Sequence, residues 1–275
     1  MKTRILSAVI GIAVALTLLV LGAHFSIVID ISVALIAAFC VYEGLSAKKL
    51  EKKWSISIPC IAFTFAFCMI YTMSLYPVAV FLFFLAVFAS MIVNHNKLTF
   101  DDFSYAVVIT ILCTLGLWSV VYLFDSNGSY PGLFYVVTAL STPWLADAGA
   151  YFGGSLFGRK KLCPNISPKK TVEGAVSGVI IGTLLSLLVG LFFTSFLFQN
   201  GERVNYLLLA VYGFLGAIVS IIGDLSFSLI KRSCGIKDFG NLIPGHGGML
   251  DRFDSVIFSA PLLLIFNLYY PIVVK

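Results

Sequence analysis

The sequence predicts an all-α integral membrane protein, and three observations carry that prediction. Hydrophobic residues make up 60% of the 275 positions and charged residues only 11%, with a mean hydropathy of +1.02, far too apolar for a water-soluble domain. The apolar residues form runs long enough to cross about 30 Å of hydrocarbon, which takes about 20 helical residues. The cations gather at the ends of those runs, on alternate connections, as the positive-inside bias places them.

Taken in order, nine transmembrane helices are expected, at roughly residues 5–23, 26–44, 55–75, 78–94, 104–124, 131–153, 174–197, 204–230 and 254–273. The first follows a basic start from Met1 to Ile5 and resembles a signal peptide. Leu21 and Ala23 make a poor cleavage site, so an uncleaved helix is expected. Only Tyr76 and Pro77 separate the third and fourth spans, which reads as a tight hairpin. With the N-terminus cytoplasmic, every Lys and Arg except Arg203 and Lys275 falls inside. Outer connections such as Asp125 to Tyr130 and Gln199 to Arg203 are short, whereas the inner stretches Gly158 to Glu173 and Arg232 to Arg252 are longer. No repeat, low-complexity tract or linker divides the chain, so residues 1–275 read as a single polytopic membrane domain.

Two function classes fall away on composition. The formal charge of +5 does not indicate nucleic acid, because the basic residues sit at span ends. The six cysteines show no zinc-ligand spacing, and Cys40, Cys60, Cys68 and Cys113 lie within apolar spans, so they read as small core residues.

Chemistry concentrates between Ser228 and Asp254, where cations, carboxylates, a histidine and backbone breakers interrupt the hydrocarbon. That mixture suits a polyanion: Lys and Arg supply charge, Gly lets backbone N–H groups approach phosphate oxygens, and Asp holds a hard divalent metal. Ser220, Asp224, Ser228 and Lys231 are spaced to share one helical face. Asp224 lies inside the apolar run, where an unpaired carboxylate costs at least about 2.5 kcal/mol. Its partner is either a basic residue near the cytoplasmic end or a metal, and metal is favoured because Asp251 arrives from the facing loop. Gly245, His246, Gly247 and Gly248 suit a tight turn that aims N–H groups at an anion. His246 is a candidate catalytic group or a hydrogen-bonded loop residue. Lys231, Arg232, Lys237, Asp251, Arg252 and Asp254 surround that turn.

Asp147, after Pro143 has weakened the sixth span, is a second carboxylate at membrane depth, in a site role or a structural pair. Beyond it, Arg159, Lys160, Lys161, Ser167, Lys169 and Lys170 either anchor the inner face or clamp substrate phosphates, with Thr171 as the N-cap of the seventh helix and Glu173 in its first turn. Asp30, Glu43, His24 and His95, at span ends, read as interfacial or helix-pairing residues outside the site.

The run from Ser228 to Asp254 resembles the signature of the phosphatidate cytidylyltransferases, or CDP-diacylglycerol synthases. Asp147 to Phe152 and Ser167 to Gly174 look like that family's second recognisable stretch. The resemblance implies transfer of the cytidylyl group of CTP to phosphatidate, with release of pyrophosphate. It implies a homodimer in the cell's inner, or plasma, membrane with a cytoplasm-facing polar cavity, its active site built at about 220–254. It implies Mg²⁺ and a second metal ion, with Asp224 and Asp251 as metal ligands. On this reading the catalytic set is Asp224, Asp251, Lys231, Arg232, Lys237, His246 and Arg252. Asp147, Ser167, Lys169, Lys170, Ser228, Asp238, Gly245, Gly247, Gly248 and Asp254 bind substrate.

The chemistry agrees with that expectation. A phosphate monoester has a second pKa of about 6, so phosphatidate attacks without a general base, and the enzyme must supply positioning and charge neutralisation. The alternative enzyme reading is a CTP-dependent polyprenol or phytol kinase, which would release CDP. A CDP-alcohol phosphotransferase lacks support because its multi-Asp helix pattern is missing. A secondary transporter would place its ionisable groups near the midplane between repeated halves, whereas here they gather on one side.

Overall fold

The nine α-helices found among the described residues are α1 (Lys2–His24), α2 (Ser26–Ser46), α3 (Trp54–Cys68), α4 (Tyr76–Val93), α5 (Phe100–Asn127), α6 (Ser129–Phe157), α7 (Val172–Phe196), α8 (Tyr206–Ser233) and α9 (Leu250–Tyr269). The computed structural model describes residues 2–70, 73–198, 201–243 and 247–274, with the side chains of residues 2–6, 8, 73 and 129 left out. Met1, residues 71–72 of the expected third span, Gln199 of an expected outer connection, Gly245 and His246 of the glycine turn, and Lys275 lie outside the described residues.

Six helices, α2, α4, α5, α7, α8 and α9, are long and apolar enough to cross a membrane, and α1 and α3 add the shorter apolar stretches Val9–His24 and Trp54–Cys68. Helix α6 has the length, with 29 residues, but Ser141, Thr142, Pro143 and Asp147 break up its apolar run. The outward faces are hydrocarbon: α4 exposes Phe81, Leu82, Leu85, Phe88 and Ile92, a patch that lipid accommodates and water does not. The chain is an integral membrane protein.

The break between the third and fourth spans falls earlier than expected. Helix α3 stops at Cys68, and Tyr76 and Pro77 open α4 instead of joining two spans. Proline suits the first turn, where its missing N–H would have had no intrahelical acceptor and its fixed φ is already helical. Pro143 likewise leaves α6 unbroken.

Polar contacts at the two ends show that the helices reverse direction in turn. At one end, Lys53 Nζ at the start of α3 donates to Lys97 O and to Asp102 Oδ2, both at 2.9 Å, and Tyr105 Oη near the start of α5 donates to Gly44 O in the last turn of α2, at 2.8 Å. At the other, Tyr135 Oη near the start of α6 accepts from the N–H groups of Ile272 and Val273, just past α9, at 3.1 Å each. Inside, Thr64 and Thr114 hydroxyls join α3 to α5 at 2.8 Å, a bond that lipid does not compete for.

Two short antiparallel ribbons depart from the all-α expectation. Strand β1 (Lys161–Cys163) pairs with β2 (Ser167–Thr171) between α6 and α7, and β3 (Arg203–Val204) pairs with β4 (Val273–Val274) at the opposite end. All six cysteines are free thiols.

Close approach of α6 and α7 sets the height of the ribbon β1–β2 relative to Asp147. A Cβ on Gly178 would stand 2.7 Å from the Ala146 carbonyl and 3.0 Å from Ala150 Cβ. Gly178→Ala therefore forces the helices apart and should lower the thermal unfolding midpoint in detergent. Gly11→Ala, where a Cβ meets nothing within 4 Å, should hold or raise it, since Ala is favoured over Gly in a helix by about 0.5–1 kcal/mol. Equal midpoints for the two variants would refute the close-packing account.

Candidate active site

Lys231 lies in the last turn of α8, and Asp251 in the first turn of α9. Their side chains meet at 2.8 Å from Nζ to Oδ1, and Asp254 Oδ2 stands 3.8 Å from the same ammonium. All three are nearly sealed from solvent, with side-chain exposures of 10%, 3% and 9%. A lone charge at this depth is costly, so the group persists because each charge faces an opposite one. The ammonium also lies 5.4 Å from the centre of the Phe239 ring. The second oxygen of Asp251 accepts from the N–H groups of Phe239 and Gly248, at 2.9 and 3.0 Å. Gly247 lets the chain come this close: its φ is +86°, a region side chains avoid, and a Cβ there would stand 3.1 Å from Asp251 Oδ2.

One face of α8 carries Ser220, Asp224, Ser228 and Lys231, as the spacing predicts. Asp224 forms an ion pair with Lys170 and accepts from the Ser228 hydroxyl at 3.3 Å. Lys170 comes from β2, so the basic stretch between α6 and α7 reaches the α8 face. That ribbon is held at both edges. Thr171 Oγ1 caps α7 by accepting from Gly174 N–H at 3.1 Å, and Glu173 accepts from the N–H groups of Arg159 and Lys160, at 3.0 and 3.2 Å. Arg232 donates to the carbonyls of Ile166 and Ile236, at 3.4 and 3.1 Å, so here it ties the end of α8 to the ribbon.

Asp147 completes the layer. Its charge lies within electrostatic reach of Asp224, Lys170 and Arg252, and that of Asp254 within reach of Asp224, Lys231 and Asp147. The bundle end thus gathers four carboxylates, Asp147, Asp224, Asp251 and Asp254, around two ammonium groups, Lys170 and Lys231. Asp224 and Asp251 hold different lysines, and they are linked through Asp254 and Lys231. Among the described residues, no three Asp, Glu, His or Cys side chains converge into a metal cage.

The remaining sequence candidates distribute around this layer. Lys237, Asp238, Lys169 and Arg252 are exposed at its rim, Ser167 is half-buried in β2, and Gly247 and Gly248 line the approach to Asp251. Gly245 and His246 lie outside the described residues. Two residues that sequence reasoning set aside or passed over also belong here. Trp144 Nε1 donates to the Arg252 carbonyl at 2.9 Å, and its ring packs edge-on to Phe253 at 5.8 Å. Glu43, buried in the last turn of α2, accepts from Leu250 N–H at 2.8 Å. A carboxylate inside an apolar span was the signal for Glu43; nothing in the sequence marks Trp144 apart from other interfacial tryptophans.

Residues 2–270 match the model of the Cytidylyltransferase family. The chain belongs to that family. The match takes in all nine helices, so the whole bundle, including the carboxylate and lysine layer, is cytidylyltransferase-family architecture. Among curated relatives, the chain is 31% identical over 271 residues to the phosphatidate cytidylyltransferase of Staphylococcus haemolyticus, covering 96% of this chain and 97% of that protein. It is 31% identical over 274 residues to that of Bacillus subtilis, with 96% of each covered. Over 152 residues it is 45% identical to that of a Synechocystis species, covering 55% of this chain and 48% of the relative.

Removing one partner of a buried ion pair costs about 3–5 kcal/mol, whereas solvent-screened pairs contribute far less. Lys231→Met in this family member strands Asp251 and Asp254. It should lower the thermal unfolding midpoint more than Lys170→Met does, because the Lys170–Asp224 pair is 22% exposed on both sides. A reversed order would show that the Lys231 group does not hold α8 to α9.

Proposed function

We propose that this chain is a phosphatidate cytidylyltransferase: it transfers the cytidylyl group of CTP to phosphatidate, giving CDP-diacylglycerol and pyrophosphate. The observation that carries this reading is the near full-length match to relatives of that name. The geometry supports it, since a layer of carboxylates and lysines stands at one end of a lipid-facing bundle. That is where a lipid phosphate, tethered by its acyl chains, meets a nucleotide held in water.

In the reaction, a phosphatidate oxygen bonds to the α-phosphorus of CTP while the bond from that phosphorus to the α–β bridging oxygen breaks, and pyrophosphate leaves with the electron pair. The nucleophile is already largely dianionic near pH 7, its second pKa being about 6, so no side chain has to remove a proton. What the chain supplies is placement and counter-charge. Lys170 and Lys231, with Lys169, Arg232, Lys237 and Arg252 around them, hold the phosphates of the two substrates against mutual repulsion.

Asp224 and Asp251 are the residues that would hold Mg²⁺ and a second metal ion. The donor set fits: both offer hard carboxylate oxygens, both already bind cations in the form of lysine ammonium groups, and Mg²⁺ is commonly held by one or two carboxylates plus substrate phosphates. Four carboxylates facing two lysines would otherwise repel a triphosphate. When bound, the metal polarises phosphoryl oxygens and neutralises the departing pyrophosphate. We place the N-terminus and the site in the cytoplasm, with nine spans, because the alternating helices put nearly all cations at the site's end of the bundle. The working form on this reading is a homodimer, as the family resemblance implies.

Purified protein given labelled CTP and phosphatidate should form CDP-diacylglycerol and pyrophosphate, with loss of product on chelation. Release of CDP instead would show a lipid kinase. Asp224→Asn and Asp251→Asn should each reduce turnover by about 100-fold or more, the scale on which removing one electrostatic contributor acts; full activity in both would remove the metal assignment.

The sidedness has its own check. Cys163 and Cys234 are half-buried near the site, while the other four cysteines are buried. A membrane-impermeant maleimide should label Cys163→Ser and Cys234→Ser single variants in inside-out vesicles but not in intact cells. Labelling in intact cells would invert the topology.

A further inference from the structure

The first N–H groups of a helix have no acceptor within it and need one from elsewhere. Helix α9 cannot provide its own: the residue before it, Met249, makes no side-chain cap and is itself in helical conformation, φ −63° and ψ −46°. The acceptor comes from another helix. Glu43, in the last turn of α2 and 5% exposed, accepts from Leu250 N–H at 2.8 Å. The preceding loop closes around it on both sides. A Cβ on either Gly240 or Gly248 would overlap the Glu43 carboxylate.

The same short segment also feeds Asp251. Gly248 and Phe239 give their N–H groups to Asp251 Oδ2, while the N–H of Leu250, two residues after Gly248, goes to Glu43. Two carboxylates therefore divide the donors of one loop, and this leaves Asp251 Oδ1 turned towards Lys231. Glu43 makes no ion pair among the described residues; the positive end of α9 faces its charge. Its own backbone is fixed to α5, because Tyr105 Oη bonds to the Gly44 carbonyl at 2.8 Å.

We propose that Glu43 is a positioning residue that caps α9 from α2 and holds the glycine segment in the arrangement that aims Asp251 at the reaction layer. The kinetic part rests on the cytidylyltransferase reading above; the structural part does not.

The test compares full-length wild type with Glu43→Ala, Glu43→Gln and Glu43→Asp, read by amide hydrogen exchange over residues 239–252 and by kcat and KM for CTP. Glu43→Ala should speed exchange of that segment about tenfold, the scale of a lost helix cap, and lower kcat by a similar factor while leaving KM for CTP within about threefold. Glu43→Gln keeps an acceptor oxygen at the same reach and should restore both readouts to within about threefold of wild type. Glu43→Asp, one methylene short, should not. Unchanged exchange in Glu43→Ala, equal impairment of the Ala and Gln variants, or a rise in KM for CTP larger than the fall in kcat overturns the proposal. If Glu43→Ala fails to fold, the Gln and Asp variants decide: protection in the first and exposure in the second supports it, and equal exchange in both overturns it. A wild type that makes no CDP-diacylglycerol would refute the function and still leave exchange to judge Glu43.

Discussion

The ammonium of Lys231, enclosed between Asp251 and Asp254, is the constraint on which the functional end of this molecule depends. In a bundle surrounded by hydrocarbon, a buried charge is held by its partners or not at all. Here the partners belong to a different helix, so the electrostatic demand of one residue locks α8 against α9. Asp251 then extends the constraint into the loop, since its other oxygen takes backbone donors from Phe239 and Gly248. Electrostatics, helix packing and loop conformation become one problem with one solution.

Everything else at that end is arranged around the pair. The α6–α7 contact, tight enough that Gly178 has no room for a side chain, sets where Asp147 stands and where the ribbon β1–β2 emerges. The ribbon carries Lys170 to Asp224, and Arg232 returns the tie from α8 to Ile166. Opposite charges thus arrive from separate elements and balance one another within the layer. The rest of the bundle turns apolar faces outward, and the charged layer stands at one of its ends.

Much of the site was legible because charge is conspicuous in an apolar chain. Asp224, Lys231 and Asp251 stand out as exceptions to their surroundings, and a spacing of three and four residues puts Asp224, Ser228 and Lys231 on one face whatever the neighbours do. Thr171 as a cap and Glu173 in the first turn follow from local chemistry in the same way. Pairings were not legible. That Asp224 meets Lys170 while Asp251 meets Lys231, and that Arg232 bonds to backbone carbonyls, depends on how four helices and a ribbon dock. Glu43 was read as a helix-pairing residue because its role needs the position of α9, some two hundred residues away along the chain.

By itself the sequence determined the solvent this protein folds in, the helical character of its spans, the clustering of its cations at the ends of those spans and the stretch where charged residues gather. These follow from composition and from periodicity along a single element, which need no knowledge of neighbours. Only the tertiary structure decided where α3 gives way to α4, that the basic connection folds into a ribbon, which carboxylate faces which lysine, and that α2 supplies the missing cap of α9. Those outcomes rest on distances between elements remote in the chain, and such distances are settled by close packing and the pairing of buried charge.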